Sequence, residues 1–269
     1  MRDRSIVTEV EIIAEIGQNH NGDMRLAKEL IYAAKENGAD VAKFQFYDVD
    51  SIFQPDFEWY AAAKEAELNK EQACELAATC EEAGIEFMAS VFDVERVRWC
   101  EEIRMRRYKI ASRSVRQLAL LRAVGDTGKN VIVSLGMWDG GCLPVVPTSA
   151  RVDYLYCVAK YPTAPADLDF AAIDFHRYAG FSDHTIGIDA SLVAMARGAR
   201  IIEKHFTLSK KMPGPDHAGS MEPQELAKLK TFADSFSGIL YHRTGEAQVS
   251  VVKLGDASEV SLSPAASVA

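Results

Sequence analysis

Two histidines follow short apolar runs late in the chain, and together they could hold one metal ion. His184 lies in the segment Gly-Phe-Ser-Asp-His-Thr that begins at residue 180, and His205 ends the segment Ile-Ile-Glu-Lys-His that begins at residue 201. If the two runs form neighbouring strands, both imidazoles reach the same end of a sheet. Two imidazoles leave coordination positions open, which favours a catalytic divalent metal over a structural one.

Two lysines interrupt other apolar runs and indicate an anionic ligand. Lys43 and Lys109 each lie inside a short run of otherwise apolar residues. A lysine in a buried strand carries a desolvation cost unless a negative charge meets it. For a single lysine, a neighbouring carboxylate such as Glu15 or Glu203 would be the simpler partner. Two lysines with serines on adjacent strands instead favour a site for a phosphate and a carboxylate. The serines are Ser112, Ser134 and Ser182.

The remaining histidines carry less weight as ligands. His20 follows the first apolar run closely, together with Asn19. We expect His176 and His242 on exposed helix surfaces, where they need no catalytic role. A lone buried histidine is more often a hydrogen-bonded core residue than a metal ligand.

The elements that must position these residues alternate along the chain. Short β-rich runs recur eight times, at residues 10–16, 41–46, 86–91, 108–111, 131–135, 154–158, 180–182 and 200–205. Segments with apolar residues at helical spacing lie between them, at 24–37, 69–82 and 189–197, each followed closely by a glycine. Strands that alternate with helices pair in parallel, and eight such units close into a TIM (β/α)₈ barrel. In this fold active sites form at the C-terminal ends of the strands, where the polar residues above fall.

One unit departs from this alternation. The segment 138–150 contains Gly140, Gly141, Pro144 and Pro147, a composition that disfavours a full helix. We therefore expect a loop in place of the helix after strand five. We expect residues 1–240 to form one barrel domain. Residues 241–269 turn small and polar and are expected to be a C-terminal extension without a domain of its own.

Composition excludes several classes of partner. The formal net charge of −9 argues against a nucleic-acid surface. No run approaches the roughly 20 apolar residues of a membrane span, and the first residues do not form a signal-peptide apolar region. The five cysteines are scattered, with no Cys-x-x-Cys pair, which is typical of a reducing compartment and predicts a cytoplasmic protein.

Eight short motifs in chain order resemble those of the sialic acid (N-acetylneuraminate) synthase family. They include AEIGQNHNGD at residues 14–23, GADVAKFQ at 38–45, YKIAS at 108–112 and SLGM at 134–137. The others are YPT at 161–163, SDHT at 182–185, EKHFT at 203–207 and GPD at 214–216. So many motifs in one order, between about residues 10 and 230, are highly specific for this family.

The resemblance implies a metal-dependent transferase of sialic acid biosynthesis. Such enzymes condense phosphoenolpyruvate with the open-chain aldehyde of a sugar like N-acetylmannosamine, and they yield a sialic-acid-type α-keto acid and phosphate. It implies a cofactor, Mn²⁺ or Mg²⁺, held by His184 and His205, which would polarise the aldehyde oxygen.

The resemblance also carries roles over to individual residues. It implies four catalytic side chains: Glu15, Lys43, Lys109 and His184. Of these, Glu15 could take part in proton transfer. The serines implied to bind phosphoenolpyruvate beside the lysines are Ser90, Ser112, Ser134 and Ser182. The residues implied to face the sugar are Gln45, Tyr161 and Asp216.

The sequence departs from the family pattern on the sugar side and at part of the substrate rim, where Ala159 stands at a position that in the family helps to hold phosphoenolpyruvate. Arg113 and Ser114 stand where the family usually has Gly-Glu, and Val91, Leu135 and Ala159 replace a proline, a threonine and a small polar residue. Arg113 adds a cation near the acceptor, so we keep a different or phosphorylated aldose as an alternative. A barrel that is not catalytic and only binds a ligand or partner is the other alternative.

Full-length relatives carry a C-terminal antifreeze-like domain that caps the partner's sugar site in a dimer. The sequence ends before such a domain, so the resemblance implies the barrel domain only. Two protein partners stay open: a second copy of the chain in a homodimer, and a separate capping protein.

Overall fold

The computed structural model describes residues 9–241 and contains a closed parallel barrel of eight strands in chain order. The strands are β1 (Glu11–Gly17), β2 (Val41–Phe46), β3 (Glu86–Val91), β4 (Arg107–Ile110), β5 (Asn130–Ser134), β6 (Val152–Cys157), β7 (Gly180–Asp183) and β8 (Ile201–His205). Each strand pairs with the next in parallel, and β8 closes the barrel on β1. The predicted fold class is confirmed, and every predicted strand overlaps an observed one.

Eight α-helices surround the barrel within residues 9–241, and several of them begin at a residue whose side chain accepts backbone amides. They are α1 (Met24–Glu36), α2 (Val49–Ile52), α3 (Tyr60–Glu65), α4 (Lys70–Ala83), α5 (Val94–Glu102), α6 (Leu118–Asp126), α7 (Asp189–Ala196) and α8 (Pro223–Tyr241). The Asp23 carboxylate accepts the amides of Arg25 and Leu26 at the start of α1. Helix α4 begins with a capping box of Asn69 and Gln72 and ends at Gly84, whose φ of 68° is the left-handed conformation that glycine favours.

Two units of the barrel lack an α-helix, whereas the sequence predicted only one such unit. No α-helix lies between β5 and β6, as the glycines and prolines of 138–150 predicted. Between β6 and β7 there is only a 3₁₀ turn, Pro165–Asp167, so the prediction of a single irregular unit was wrong. Aromatic packing replaces the helix here: Phe170 packs edge-on against Tyr156, Phe175 and Phe181, with ring centroids 5.1 to 5.9 Å apart.

The barrel interior is apolar at the bottom and charged at the top. Successive side chains of a strand alternate between the two sides of the barrel wall, so residues two apart share the interior. Thus Ile13 and Glu15 of β1 both face inwards, as do Val41 and Lys43 of β2. The apolar layer is Ile13, Val41, Met88, Ile132, Leu155, Ala179 and Ile201. This layer closes the barrel beneath the polar side chains at the C-terminal strand ends.

Two predictions concern the ends of the chain. The expected extension at 241–269 lies outside the described residues except for Tyr241, which ends α8, and His242 lies outside them as well. The domain boundary at residue 240 therefore stays a prediction. Within residues 9–241, no helix combines the length and the apolar character needed to cross a membrane.

His20 is buried just after β1, where protonation is unfavourable. It is 1 % exposed, and its ring centroid lies 6.2 Å from that of Phe44. Its Nδ1 accepts the amide of Gly22 at 3.2 Å. Desolvation by burial lowers the pKa of His20 to about 4.

We predict that His20 makes the fold sensitive to acid. Its pKa is about 4 in the folded chain and 6.5 as the ordinary value, so the unfolded chain binds more protons between these limits. Stability is therefore lost as the pH falls through this window, by up to roughly 3 kcal/mol. His20→Asn cannot titrate, so its free energy of unfolding in urea should fall less between about pH 7 and about pH 5.

The control variant is His176→Asn, because His176 is exposed. It should lose stability with acid as steeply as the wild-type chain does. An equally steep loss in His20→Asn would show that the neutral state of His20 is not what limits stability in acid.

Candidate active site

Two buried lysines and two buried glutamates lie together at the upper end of the barrel interior. Lys43 Nζ lies 2.6 Å from Glu15 Oε2 and 3.4 Å from Glu203 Oε2. Lys109 Nζ lies 3.3 Å from Glu203 Oε1. None of the four side chains is more than 7 % exposed. Both lysines are thus paired with carboxylates, the arrangement that sequence reasoning favoured for a single lysine, and Glu203 serves both.

Serine hydroxyls complete the hydrogen bonding of this charge cluster. Lys43 Nζ donates to Ser90 Oγ at 3.0 Å, and Lys109 Nζ donates to Ser134 Oγ at 2.7 Å. Ser182 Oγ donates to Glu203 Oε1 at 2.7 Å. The hydroxyls hold the charged groups in place. Ser90 and Ser134 accept these bonds, so their own O–H groups stay available as donors suited to anionic oxygens.

Burial and charge act against each other in setting the protonation of the cluster. Burial alone would lower the pKa of Lys43, but the carboxylates of Glu15 and Glu203 outweigh it and hold that pKa above its ordinary value. Lys109 has only Glu203 nearby as a strong partner and lies close to Lys43, so burial lowers its pKa. Burial raises the pKa of Glu203, but both lysines and the Ser182 hydroxyl bring it below its ordinary value.

The two predicted ligand histidines lie side by side at the mouth of the barrel. The ring centroids of His184 and His205 are 6.1 Å apart. His184 Nδ1 donates to the carbonyl of Val158 at 2.8 Å, which leaves Nε2 as the nitrogen with a lone pair. His205 Nδ1 is buried without a hydrogen-bond partner among residues 9–241, and it lies 3.8 Å from Asp216 Oδ2.

This donor set fits a divalent ion with open coordination positions. In the described part of the chain no group of three or more His, Cys, Asp or Glu side chains is arranged to hold a metal. The candidate metal ligands are the pair His184 and His205. Of these, His205 has a buried ring nitrogen, Nδ1, without a hydrogen-bond partner among residues 9–241. A two-imidazole site leaves room for substrate oxygens, as catalytic metal sites require.

The polar side chains line a narrow cavity of about 60 Å³ that adjoins a much wider one of about 720 Å³. The narrow cavity brings together most of the predicted site residues: Glu15, Lys43, Gln45, Ser90, Lys109, Ser112, Ser134, Tyr161, Ser182, His184 and His205. Gln45, Ser112, Tyr161 and His205 line both cavities, so the two spaces are continuous. Arg113 and Asp216 line the wide cavity and not the narrow one.

The wide cavity has an aromatic wall that sequence reasoning did not find. The segment around α2 and α3 contributes Phe53, Phe57 and Trp59. Phe53 and Phe57 stack with centroids 4.6 Å apart, and the Arg113 guanidinium lies 5.0 Å from the Phe53 ring. Arg113 also donates to the carbonyl of Ile52 at 3.0 Å. These aromatic residues do not lie at the end of a strand, so the pattern that identified the other site residues does not include them. They come from a connection whose course only the fold determines.

Cys157 is a second residue that sequence reasoning missed. It ends β6 and lines the narrow cavity, with Sγ 3.6 Å from Ser112 Oγ and 3.8 Å from His184 Nδ1. Burial raises the pKa of the thiol, but the His184 contact outweighs it and brings the pKa below its ordinary value. Its position at the end of a strand could have identified it. The five cysteines were instead considered only as disulfide or zinc candidates, for which they are too scattered.

Comparisons with known proteins agree on one family. A model of the NeuB family matches residues 30–240. The chain is 35 % identical over 247 residues to the N,N'-diacetyllegionaminic acid synthase of Legionella pneumophila, with 81 % of this chain and 69 % of the relative aligned. It is 34 % identical over 242 residues to human N-acetylneuraminate-9-phosphate synthase, with 81 % and 67 % aligned.

A solved structure has the same fold at similar identity. It is the N-acetylneuraminic acid (sialic acid) synthetase of Leptospira borgpetersenii, in complex with citrate. Its TM-score to this chain is 0.81 at 35 % identity, and the alignment covers 90 % of this chain and 88 % of the solved one.

We predict that Glu203→Gln destabilises the fold strongly. The substitution keeps the shape but leaves Lys109 without its carboxylate and Lys43 with only one. Breaking a buried ion pair from one side costs on the order of 3 kcal/mol, because a charge stays buried without compensation. Urea unfolding of the variant and of the wild-type chain measures the difference.

The matched control is Glu75→Gln, which breaks the exposed pair with Lys28, whose atoms are 2.6 Å apart. Water screens the charges of an exposed pair, so this variant should unfold almost as the wild-type chain does. Equal losses in the two variants would contradict the assignment of Glu203 as the centre of the buried cluster.

Proposed function

The chain belongs to the NeuB family, and from this premise we propose that it condenses phosphoenolpyruvate with the open-chain aldehyde of an N-acetylated amino sugar. As a member of this family the chain is a sugar-acid synthase, like the relatives that carry such names. The donor, the acceptor, the metal and the residue roles are what we propose. The observation that carries the proposal is the narrow cavity, where two lysines and four serines converge next to a histidine pair.

The narrow cavity suits the donor, whose phosphate and carboxylate need separate cations and hydroxyls. Lys43 and Lys109 reach it from β2 and β4, and Ser90, Ser112 and Ser134 surround it. Oxyanions bind well to such prearranged donors because the groups need no reorganisation in a water-poor site. Since Glu15 and Glu203 offset both lysines, the cluster carries little net positive charge of its own. A divalent cation nearby would supply the remaining charge.

The histidine pair is the proposed place for that cation. A divalent ion such as Mn²⁺ or Mg²⁺ held by His184 and His205 would supply Lewis-acid polarisation of the aldehyde oxygen. His184 is fixed for this role by its bond to the Val158 carbonyl. Tyr161 packs against the His184 ring, with centroids 4.0 Å apart, and covers it from the wide cavity.

The proposed reaction forms one carbon–carbon bond and breaks one phosphate ester. Carbon 3 of phosphoenolpyruvate attacks the aldehyde carbon, water adds at carbon 2, and the resulting hemiketal loses phosphate. Glu15 is the proposed proton-transfer group, since it lines the narrow cavity with Oε2 next to Lys43. Its Oε1 accepts at 2.7 Å from Gln45, which lines both cavities. Lys109 and the serines hold the donor while the bond forms.

The wide cavity is the proposed acceptor site. Its volume of about 720 Å³ exceeds that of the donor cavity many times, as a sugar requires. Gln45, Tyr161 and Asp216 line it, with the aromatic wall opposite the polar end. Its mouth leaves Tyr161 and Met137 more than half exposed. We also propose that this mouth is covered by a second copy of the chain or by a separate capping protein. Light scattering of the purified chain tests the homodimer.

A phosphorylated aldose is the second candidate acceptor, and Arg113 favours it. Among residues 9–241 Arg113 has no carboxylate within salt-bridge distance, although it lines the acceptor cavity. One of its terminal nitrogens donates to the Ile52 carbonyl, which leaves further N–H groups for a substrate anion.

We predict that the chain releases phosphate from phosphoenolpyruvate only when a divalent metal and a suitable aldose are both present. The panel contains N-acetylmannosamine, its 6-phosphate and shorter aldoses, and product mass identifies the acceptor. Removal of metal with a chelator should stop the reaction. His205→Ala should lower turnover by at least about a hundredfold, because one of two ligands is lost.

His176→Ala, an exposed histidine, is the control and should keep full turnover. If no aldose releases phosphate, calorimetry measures whether the chain binds metal and phosphoenolpyruvate. Binding of metal without binding of phosphoenolpyruvate would identify a barrel that is not catalytic. Unchanged metal-dependent turnover in His205→Ala would refute the ligand assignment alone.

We predict that Arg113→Gln separates the two acceptors. If the acceptor is phosphorylated, KM for that aldose should rise by roughly tenfold, since a charge-assisted hydrogen bond is lost. KM for a neutral aldose and for phosphoenolpyruvate should not change. Arg122→Gln, an exposed residue on α6, controls for the change in net charge. Equal KM values for the phosphorylated aldose in Arg113→Gln and wild type would leave the neutral sugar as the acceptor.

A further inference from the structure

The segment after β1 is tied to the loop after β8 through Asn19. Asn19 is 1 % exposed. Its Nδ2 donates to the carbonyl of Phe206 at 2.8 Å and to Ser220 Oγ at 2.9 Å. The two protons of one amide group are therefore both used, one at each end of the β8 loop, which we define as residues 206–221. An amide with two fixed acceptors holds those acceptors at a set distance from each other.

Ser220 transmits this constraint to Asp216. The hydroxyl of Ser220 is fully buried and donates to the main-chain carbonyl of Asp216 at 2.7 Å. The Asp216 carboxylate in turn lies 3.8 Å from His205 Nδ1. Phe206, the other acceptor of Asn19, follows His205 directly in the chain. Asn19 therefore holds both partners of the His205 and Asp216 pair, one from each side.

A second line of hydrogen bonds fastens the same loop to Asn21. Thr207 Oγ1 lies 2.7 Å from His217 Nδ1, and His217 Nε2 lies 3.2 Å from Asn21 Oδ1. Asn21 Nδ2 donates to the carbonyl of Pro213 at 3.0 Å. An amide oxygen only accepts, so Nε2 carries the proton of His217 and Thr207 donates to Nδ1. The Thr207 hydroxyl also lies 3.2 Å from the carbonyl of Ser209, so His217 Nδ1 is the nearer of its two acceptors.

The fit between the two loops is close at Gly214. Its φ of 140° lies in the region that favours glycine. A Cβ there would stand 2.8 Å from His217 Cδ2 of the same loop and 3.2 Å from Asn21 Oδ1 of the segment after β1. The loop can therefore follow this course only with a glycine before Pro215 and Asp216. This packing and the two lines of hydrogen bonds converge on the placement of Asp216.

We infer that Asn19 and Ser220 are positioning residues that set the Asp216 carboxylate opposite His205 for binding of the acceptor aldose. The inference rests on the proposed function, in which Asp216 faces the sugar. Asp216 lines the wide cavity and not the narrow one, so its displacement affects the aldose and leaves the donor in place. Neither Asn19 nor Ser220 lines these two cavities. Ser220 acts through Asp216, and Asn19 acts through Ser220 and through the carbonyl of Phe206.

The first test needs no activity. In Ser220→Ala, backbone amides of residues 214–220 should exchange with deuterium roughly fivefold faster, since one buried hydrogen bond is lost. Ser220→Thr keeps the hydroxyl and should restore slow exchange. Thr79→Ala is the matched control: Thr79 is also buried and donates to a backbone carbonyl, that of Glu75, but on α4. Asn19→Asp removes both donors with little change of volume and should accelerate exchange in the same segment further.

The second test separates positioning from a general loss of structure. With metal, phosphoenolpyruvate and the active aldose, Ser220→Ala should raise KM for the aldose by roughly tenfold and leave KM for phosphoenolpyruvate within about twofold. In an Asp216→Ala background, the further change Ser220→Ala should have no effect on KM for the aldose, because its effect passes through Asp216.

Unchanged amide exchange in Ser220→Ala would overturn the inference whatever the activity of the chain. Parallel rises in both KM values, or a full additional effect in the Asp216→Ala background, would also overturn it. If the wild-type chain releases no phosphate with any aldose, the proposed function fails, and the exchange experiment alone decides whether Asn19 and Ser220 hold Asp216.

Discussion

The rest of the structure depends on one buried carboxylate, that of Glu203, which lies between two buried lysines. Glu203 Oε1 and Oε2 lie 3.3 and 3.4 Å from Lys109 and Lys43, and neither lysine is more than 2 % exposed. Such a cluster is unfavourable unless every charge is compensated, so it contributes little to stability by itself. It does require β2, β4 and β8 to present these side chains at one height in the barrel. The apolar layer below, which includes Ile13 and Ile201, requires the same register, because its side chains must also lie at one height in the barrel.

This constraint also explains the division of the site into two cavities. The lysines, the glutamates and the hydroxyls of Ser90, Ser134 and Ser182 come from strands, whose positions the barrel holds rigidly, and they enclose the narrow cavity. The wide cavity is lined by Arg113, by the aromatic wall and by Asp216, all of which come from connections. A narrow cavity lined mainly by strand residues, next to a wide cavity lined mainly by connections, agrees with a family whose relatives are named as synthases of different sugar acids. In barrels of this type, the connections change more readily than the strands.

The connections are held by polar side chains that do not face the cavities. Asn19, Asn21, Ser220 and His217 join the turn after β1 to the β8 loop. The unit between β6 and β7, which has no α-helix, shows a different solution, since aromatic rings around Phe170 cover the barrel wall there. The segments after β1 and β8 are therefore fixed by hydrogen bonds, and the connection after β6 is fixed by aromatic packing. The site depends on these contacts as much as on the strands.

The sequence by itself determined the barrel, the eight strands and the strand-end residues, because alternation and helical spacing are local patterns that any chain must obey to bury its apolar faces. Lys43, Lys109, His184 and His205 could be placed in one site on that ground, since parallel strands bring their C-terminal ends together. Only the tertiary structure decided that Glu203 pairs with both lysines, that Phe53 and Phe57 face Arg113, and that Asn19 holds Asp216. These contacts join residues far apart in the chain, and their geometry follows from the course of the loops, which no local pattern specifies.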